Sequence, residues 1–365
     1  VAGPRAPRPD ADRQRGAAAR GRGGDARRQR SGTRLAKPAS AATHAAVARL
    51  NPPLEVHDVF SGAGGFSCGA ARAGCRVASA TDINKLALRT HAWNHPDATH
   101  VQLKLPAPLS ALPLPTDGRR FHAHFSPPCQ LFSGANKVNR RERDTEVGEA
   151  LVNWSLDTAV ACGAATWSFE QVPSPRVVAL IEAARKRHPG RIAYTKVDLS
   201  RLGVPQARKR LIAGPPAMIQ RLRERYAASR TVCATRDAIA KPRGTHVRNG
   251  IYWHAKIRKG GVDVPGRAKF KYIKAEWTDF CRPLDQPSYT VLAAHPLSWV
   301  TIDANGGFVS YARMSVEEHS LLQTFKPSFR WPVNKLRAYR QIGNAVPPQL
   351  AHCVMQAAVA TLVDA

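Results

Sequence analysis

The stretch Leu54-Glu55-Val56-His57-Asp58-Val59-Phe60-Ser61-Gly62-Ala63-Gly64-Gly65 decides the fold of this chain. Its first half, Leu54 to Phe60, has the length and apolar content of a buried strand. The glycines that follow let the backbone approach a ligand closely. A short helix from Phe66 and a second strand, Cys75 to Thr81, come next. This order predicts an α/β fold with a mostly parallel, Rossmann-like sheet.

An acidic residue, Asp82, ends the second strand. At this point in such folds an acid can bind ribose hydroxyl groups. The turn itself, Phe60-x-Gly62-x-Gly64-Gly65, differs from the dinucleotide fingerprint, and an ordinary βα turn is the alternative interpretation.

A second informative stretch is Ser126-Pro127-Pro128-Cys129-Gln130, which follows an apolar strand, Phe121 to Phe125. Each proline fixes its φ angle and keeps the residue before it extended. The thiol of Cys129 should therefore lie just beyond a sheet edge, as a candidate nucleophile next to a polar, basic and mobile loop that ends at Arg143. The alternative is a small buried hydrophobic residue in a proline-rich turn.

Three further segments contain candidate site residues. Glu170 ends a buried strand that starts at Trp167, where open α/β sheets bind ligands. After another strand, Arg191 to Leu199, Arg208 and Arg210 fall on one face of an extended segment. The alternative for these arginines is a solvated strand edge. Near the end of the chain, Gly343-Asn344-Ala345-Val346-Pro347-Pro348 leads into an apolar helix.

The charge of the chain points to a polyanionic partner. Residues 1–50 carry eleven Arg and one Lys against three Asp, a net charge of +9, which leaves +20 of the total +29 for residues 51–365. The first fifty residues lack apolar periodicity and are predicted to be a disordered basic tail. The seven cysteines include no C-x-x-C pair, which argues against a disulfide framework and a zinc site. We expect a soluble intracellular protein that binds no metal and no membrane.

The motifs together resemble those of cytosine-5 DNA methyltransferases. Ser126 to Gln130, Glu170-Gln171-Val172, Gln206-x-Arg208-x-Arg210 and Gly343 to Pro348 follow the glycine-rich turn in the order of that family. The segment from Arg313 to Phe325 is similar to a further motif of the family. The resemblance covers roughly residues 54–214 and 282–363. It implies methyl transfer from S-adenosylmethionine to carbon 5 of cytosine in double-stranded DNA, on a base flipped out of the duplex.

The resemblance also implies roles for single residues. Cys129 would add to carbon 6 of the base, Glu170 would assist at ring nitrogen 3, and Arg208, supported by Arg210, would hold the base carbonyl. The cofactor residues that it implies are Phe60, Ser61, Gly62, Ala63, Gly64, Gly65, Asp82, Ile83, Asn344 and Ala345. Three positions depart from the family pattern: Gln171 replaces Asn, Asp82 replaces Glu, and residues 102–105 lack an Asp.

The chain is predicted to have a catalytic domain, residues 51–214 and 334–365, and a small target-recognition domain, residues 215–333. Residues 215–281 carry fifteen Lys and Arg against five acids, with aromatic residues between them, as suits a major-groove reader. A generic basic insertion is the alternative. The arginines that we expect to contact DNA bases are Arg243, Arg248 and Arg258.

Two rival functions stay open at this point. One is an RNA cytosine-5 methyltransferase of the transfer-RNA type, whose Cys-Phe-Thr signature is absent, since Arg282 follows Phe280-Cys281. The other is a catalytically silent DNA-binding homologue, against which the intact Cys129 and Glu170 argue. We expect a monomer in the cytoplasm of a prokaryote, or in a DNA-containing compartment of a eukaryotic or virus-infected cell, with a cognate restriction endonuclease as a second partner.

Overall fold

The computed structural model describes residues 53–129, 132, 142–229, 232–248, 281–305 and 308–364. The basic tail, residues 249–280 and most of the loop after Cys129 lie outside these ranges, and so do the predictions made for them. The strands are β1 Glu55–Val59, β2 Arg76–Asp82, β3 Thr99–Gln102, β4 Phe121–Phe125, β5 Thr166–Gln171, β6 Ala193–Asp198, β7 Lys209–Gly214, β8 His246–Arg248, β9 Cys281–Pro283, β10 Ser298–Ile302 and β11 Phe308–Arg313.

The helices alternate with the strands of the first sheet and then follow the second. They are α1 Gly65–Arg72, α2 Lys85–Asn94, α3 Glu142–Ala161, α4 Pro175–Arg187, α5 Pro216–Ala228, α6 Thr235–Ala238, α7 Val316–Leu322, α8 Lys335–Asn344 and α9 Pro348–Val363. Short 3₁₀ turns at Leu109–Ala111 and Leu199–Leu202 complete the described elements.

Seven strands form the main sheet in the order β3-β2-β1-β4-β5-β7-β6. All neighbouring pairs from β3 to β5 are parallel, and β7 runs antiparallel to both β5 and β6. The strand order reverses direction next to β1, from which β2 and β4 lie on opposite sides. Ligands of open α/β sheets bind at such a switch point, outside the carboxyl ends of the strands. The predicted mostly parallel α/β sheet is confirmed.

Helices cover both faces of this sheet. On one face α1, α5 and α9 pack around a cluster that includes Phe66, Ile219 and Val354. On the other face α3 and α4 pack around Phe125 and Ile181. All five side chains are buried, and because helices cover both faces of the sheet, β1 and β4 are buried along their whole length.

A second, four-stranded antiparallel sheet has the order β11-β10-β8-β9. Its own cluster joins Val247 and Trp299 to Leu322 and Ile342, from α7 and α8. Helix α5, which the predicted boundary at residue 215 assigns to the small domain, packs instead on α9 and β6 of the main layer. The division of the chain into two domains stays a prediction.

The C-terminal helices are apolar but belong to the core. Lys335–Val363 is long and apolar enough to cross a membrane, with a mean hydropathy of 1.2 in its most apolar window, yet 78% of that window is buried inside the protein. Helix α9 packs along α1 and α5. This degree of burial is typical of a core helix.

Six histidines of the described residues are buried, and five of them have a strongly lowered pKa. Burial lowers the pKa of His57 to about 4, of His122 to about 3 and of His319 to about 4, and lowers the pKa of His91 and His124 well below the usual value. Ser168 Oγ lies 2.9 Å from His122 Nε2 and 2.8 Å from His124 Nδ1. These imidazoles are therefore neutral in the folded protein at neutral pH.

We expect the protein to lose most of its stability between pH 7 and pH 5. Each of these histidines binds a proton in the unfolded chain near pH 6.5 and not in the folded one, so each costs about 2 kcal/mol over this interval. Asp58 opposes them, because burial raises its pKa to about 7 and its protonation favours the folded state as the pH falls. Its offset is also about 2 kcal/mol. Urea unfolding midpoints at pH 7 and pH 5 measure the difference.

A single substitution tests whether histidine protonation causes the loss of stability at acid pH. His122→Gln cannot take up a proton in this range and should reduce the acid-induced loss by about 2 kcal/mol. Equal midpoints of the native protein at the two pH values would contradict the prediction.

Candidate active site

Three neighbouring strands bring the predicted catalytic side chains together. Cys129 follows β4, Glu170 lies in β5, and Arg208 and Arg210 lie on either side of Lys209, the first residue of β7. Strand β5 pairs with β4 on one side and with β7 on the other. All four residues line one cavity of about 420 Å³. The sequence distances between them are long, and only the strand order makes them neighbours.

Glu170 and Arg210 form a buried ion pair. Arg210 Nε lies 2.6 Å from Glu170 Oε1, and the side chains are 8% and 9% exposed. Arg210 also donates a hydrogen bond to the carbonyl of Lys209 at 2.8 Å. The pair fixes the carboxyl group in the cavity wall.

Arg208 is anchored by backbone carbonyls. Its terminal nitrogens donate to the oxygens of Val291, Gly343 and Ala345 at 3.1, 3.3 and 3.3 Å. Its Nε is buried and has no hydrogen-bond partner among the described residues. Burial, together with the charge of Arg210, lowers the pKa of Arg208, but a guanidinium keeps its proton at neutral pH. The side chain therefore offers a charged donor at the cavity wall.

The segment that carries Cys129 is fixed from both sides. Ser126 N–H donates to the carbonyl of Val59 at 3.2 Å, next to the glycine-rich turn. Gln171 Nε2 donates to the carbonyl of Pro127 at 3.0 Å, from the end of β5. Gln171 is fully buried, and its Oε1 accepts from the N–H of Val172. The longer side chain that departs from the family pattern thus braces the proline turn.

We expect Gln171→Glu to reduce kcat about 10- to 100-fold. The variant keeps the size of the side chain but turns an acceptor toward the Pro127 carbonyl, and a displacement of about 1 Å at a reacting group can cost 10²-fold. The KM for cofactor should change little. Steady-state kinetics of methyl transfer, the reaction that the resemblance implies, measure both constants.

Gln171→Asn is the matched control, since it keeps a donor on a side chain one methylene shorter. An intermediate loss is expected, with an unchanged unfolding midpoint. Wild-type kcat in the Glu variant would rule out this bracing role.

The glycine-rich turn forms the other end of the cavity. Phe60 and Gly62 have positive φ angles, 64° and 53°. Gly62 N–H donates to Asp82 Oδ2 and Asn84 N–H to Asp82 Oδ1, each at 2.8 Å. Burial raises the pKa of Asp82 against these hydrogen bonds. Asp82 therefore fixes the turn through hydrogen bonds to backbone N–H groups, and it also lines the cavity.

Eight of the ten predicted cofactor residues line the cavity: Phe60, Ser61, Gly62, Ala63, Asp82, Ile83, Asn344 and Ala345. Gly64 and Gly65 do not. Gly64 caps α1 with a φ of 97°, and a Cβ at Gly65 would lie 2.1 Å from the carbonyl oxygen of Val346. Gly65 therefore allows α1 to pack against the last motif, whereas a Cβ at Gly64 would lie 2.8 Å from the ring of His91. The cofactor contact of these two glycines stays a prediction.

Several cavity residues were not predicted from the sequence. The charged ones are Asp58, Lys104 and Arg340. Arg340, Gln341 and Asn344 lie at helical spacing just before and within the last motif, and that spacing was the available signal. Lys104 comes from the segment in which an acid was expected.

The arginines predicted to read DNA do not share one environment. Arg248 is 1% exposed in β8, so its side chain does not lie at the surface of this structure, and its contact with a DNA base stays a prediction. Arg243 forms an ion pair with Glu318 at 2.7 Å and donates to the carbonyl of Arg313. Arg258 lies outside the described residues. Whether an arginine in β8 is buried depends on sheet packing, which a local pattern cannot reveal.

The fold and this site define an α/β methyltransferase: a glycine-rich turn, an acid after β2 and a cysteine after β4 face one cavity. The family model for C-5 cytosine-specific DNA methylase matches residues 54–151 and 235–360, more than half of the chain. The chain belongs to this family, and it is a DNA cytosine-5 methyltransferase.

Named relatives agree with this assignment. The chain is 29% identical over 310 residues to the Type II methyltransferase M.HgiDI of Herpetosiphon aurantiacus, covering 82% of this chain and 92% of that protein. It is 25% identical over 329 residues to M1.HphI of Haemophilus parahaemolyticus, covering 82% and 85%. The structure resembles that of S. pombe Dnmt2 methyltransferase with a TM-score of 0.56, at 14% identity and with 85% and 98% of the two chains covered. The last likeness concerns the fold alone.

Proposed function

We propose that this enzyme methylates carbon 5 of cytosine in double-stranded DNA through a covalent adduct of Cys129, with S-adenosylmethionine as the methyl donor. The convergence of Cys129, Glu170, Arg208 and Arg210 on one cavity supports this proposal most directly. Their chemistry matches the needs of a base whose carbon 5 is a poor nucleophile until a thiolate adds to carbon 6.

The cavity fits the proposed cofactor. Its volume is in the range of small-molecule sites. Asp58 Oδ1 is buried without a partner among the described residues, in a wall that also contains Asp82, and both suit a cationic ligand. No atom lies within 4 Å of a Cβ built on Gly62, so the backbone there is open to a ligand. Bound S-adenosylmethionine supplies a methyl group on a positively charged sulfur.

The protein's side chains carry the remaining chemistry. Cys129 adds through its sulfur to carbon 6, and the electron pair of the 5,6 double bond becomes available at carbon 5. Glu170 hydrogen-bonds or protonates ring nitrogen 3 as charge develops there. Arg208 holds the base carbonyl, for which its buried Nε is a free donor. When carbon 5 has taken the methyl group, it loses its proton. The electron pair left on carbon 5 re-forms the 5,6 double bond, and the sulfur of Cys129 leaves carbon 6 as a thiolate.

The ion pair changes the expected role of Arg210. Because Arg210 contacts Glu170 at 2.6 Å, it holds the acid in place as well as supporting Arg208. It is a positioning residue in this proposal. The roles of Cys129, Glu170 and Arg208 are retained as predicted from the family motifs.

Bisulfite sequencing of DNA from cells that express the protein tests the function. Methylated cytosines in a repeated short motif are expected, and Cys129→Ala is the matched control that should give none. Methylation confined to RNA, measured on the same cells, would support the transfer-RNA-type alternative. No methylation of either, with retained DNA binding, would support a silent homologue. An endonuclease that is encoded beside this protein and cuts the same DNA motif would be identified as its restriction partner.

A further inference from the structure

One face of the molecule beside the cavity carries cations that form no ion pair with other described residues. It consists of residues 83–97, which include α2, and residues 326–344, which include α8, and we call it the α2–α8 face. These two segments contain seven Lys and Arg and one acid, Asp97. The basic residues, all exposed, are Lys85, Arg89, Lys326, Arg330, Lys335, Arg337 and Arg340.

Direct contacts make the two segments one surface. Asn94 donates to the carbonyl of Arg330 at 3.0 Å and accepts from the N–H of Arg330 at 2.9 Å. Gln341 Nε2 donates to the carbonyl of Leu86 at 3.3 Å. The guanidinium groups of Arg89 and Arg330 lie 5.3 and 5.6 Å from the ring centre of Trp93. The two segments are therefore joined into one surface, on which Arg89 and Arg330 share the ring of Trp93.

The cations of this face differ from the exposed arginines of α4. Among the described residues, none of the seven forms an ion pair. On α4, by contrast, Arg176, Arg185 and Arg187 are paired with Glu149, Glu182 and Asp157. Clustered like charges repel one another and lower stability, so an unpaired cluster on one face suits a polyanionic partner.

The face also extends to the rim of the cavity, because Arg340, near the end of α8, is both an exposed cation and a cavity residue. Helix α8 has 10 residues and so is about 15 Å long. A duplex carries one phosphate charge per ~1.7 Å of its axis, so a stretch of about 15 Å presents about nine phosphates. The length of α8 is thus on the scale of a DNA segment next to the target base.

We propose that the α2–α8 face binds the phosphates of duplex DNA beside the cytosine that enters the cavity. This surface adds to any contact made by residues 215–281. The proposal rests on the proposed function, because it takes the DNA substrate as the partner. The contacts are sequence-independent and should increase affinity without changing the methylated motif.

A triple variant, Lys85→Gln, Lys335→Gln and Arg337→Gln, tests the proposal. These side chains make no hydrogen bond or ion pair with described residues, so folding should be unchanged, as thermal unfolding will verify. The matched control, Arg176→Gln, Arg185→Gln and Arg187→Gln, removes the same charge from α4. The Kd of each protein for a 40-base-pair duplex of random sequence is measured over a range of KCl concentrations.

The face variant should bind about 10- to 100-fold more weakly near 150 mM KCl, with a salt slope lower by about three. The control should bind like the native protein. An equal loss of DNA affinity in both variants would show that net charge, and not this face, sets the affinity. An unchanged Kd in the face variant would exclude the contact. Either result overturns the proposal. Bisulfite analysis of DNA treated with the face variant at low salt separates the proposed DNA contact from the proposed function. At low salt the variant should still methylate DNA. Absence of methylation by the native protein would instead refute the proposed function.

Discussion

Glu170→Gln should lower the rate of methyl transfer 10²- to 10⁴-fold while DNA affinity changes only a few-fold. The substitution keeps the shape of the side chain but removes the group that would assist at ring nitrogen 3 as charge develops, and such help is typically worth this factor. Single-turnover rates with saturating DNA and cofactor measure the chemical step, and filter binding measures affinity. Near-normal turnover would show that another residue assists at ring nitrogen 3.

The buried ion pair provides the control for this variant. Glu170→Gln leaves the charge of Arg210 in a site that is nearly closed to solvent, which should cost about 3–5 kcal/mol of stability. Adding Arg210→Gln removes the unpaired charge and should restore part of that stability. The rate should stay low in the double variant. A rate that recovers together with stability would show that the loss came from misfolding rather than from missing chemistry.

Local patterns predicted the elements around the site well. The strands expected before Ser61 and Ser126 are β1 and β4, and the apolar helix expected after the last motif is α9, Pro348–Val363. Strand signals, glycine turns and proline starts act over a few residues, so they can be read from the chain. The same holds for the resemblance to the methyltransferase motifs, which identified all four catalytic candidates that line the cavity.

Properties that depend on packing could not be read in this way. Arg248 and Arg243 have the same local chemistry as a DNA-reading arginine, yet one is buried in the second sheet and the other is paired with Glu318. The ion pair of Glu170 with Arg210 exists because β7 runs antiparallel beside β5. Asn94 and Arg330, which join the two segments of the α2–α8 face, are 236 positions apart in sequence. Such contacts follow from the topology and not from any one segment.

DNA that contains 5-fluorocytosine at the target position should trap a covalent complex through Cys129. The sulfur adds to carbon 6 and carbon 5 accepts the methyl group, but the fluorine at carbon 5 cannot leave as a proton does, so the carbon–sulfur bond persists. In the presence of cofactor we expect a protein–DNA species that survives denaturing gel electrophoresis. Peptide mapping should locate the attached base at Cys129, which is half-buried in the cavity wall.

Two variants decide between Cys129 and the other thiols. Cys129→Ser should form no denaturation-resistant complex and should lose methyl transfer. Cys233→Ser is the matched control: its thiol is also half-buried but lines a separate cavity of about 140 Å³, and its trapping should equal that of the native protein. A stable adduct in Cys129→Ser would assign the nucleophile elsewhere. Loss of the adduct in Cys233→Ser, with native-like unfolding, would do the same, because only the reacting thiol is required for the covalent bond.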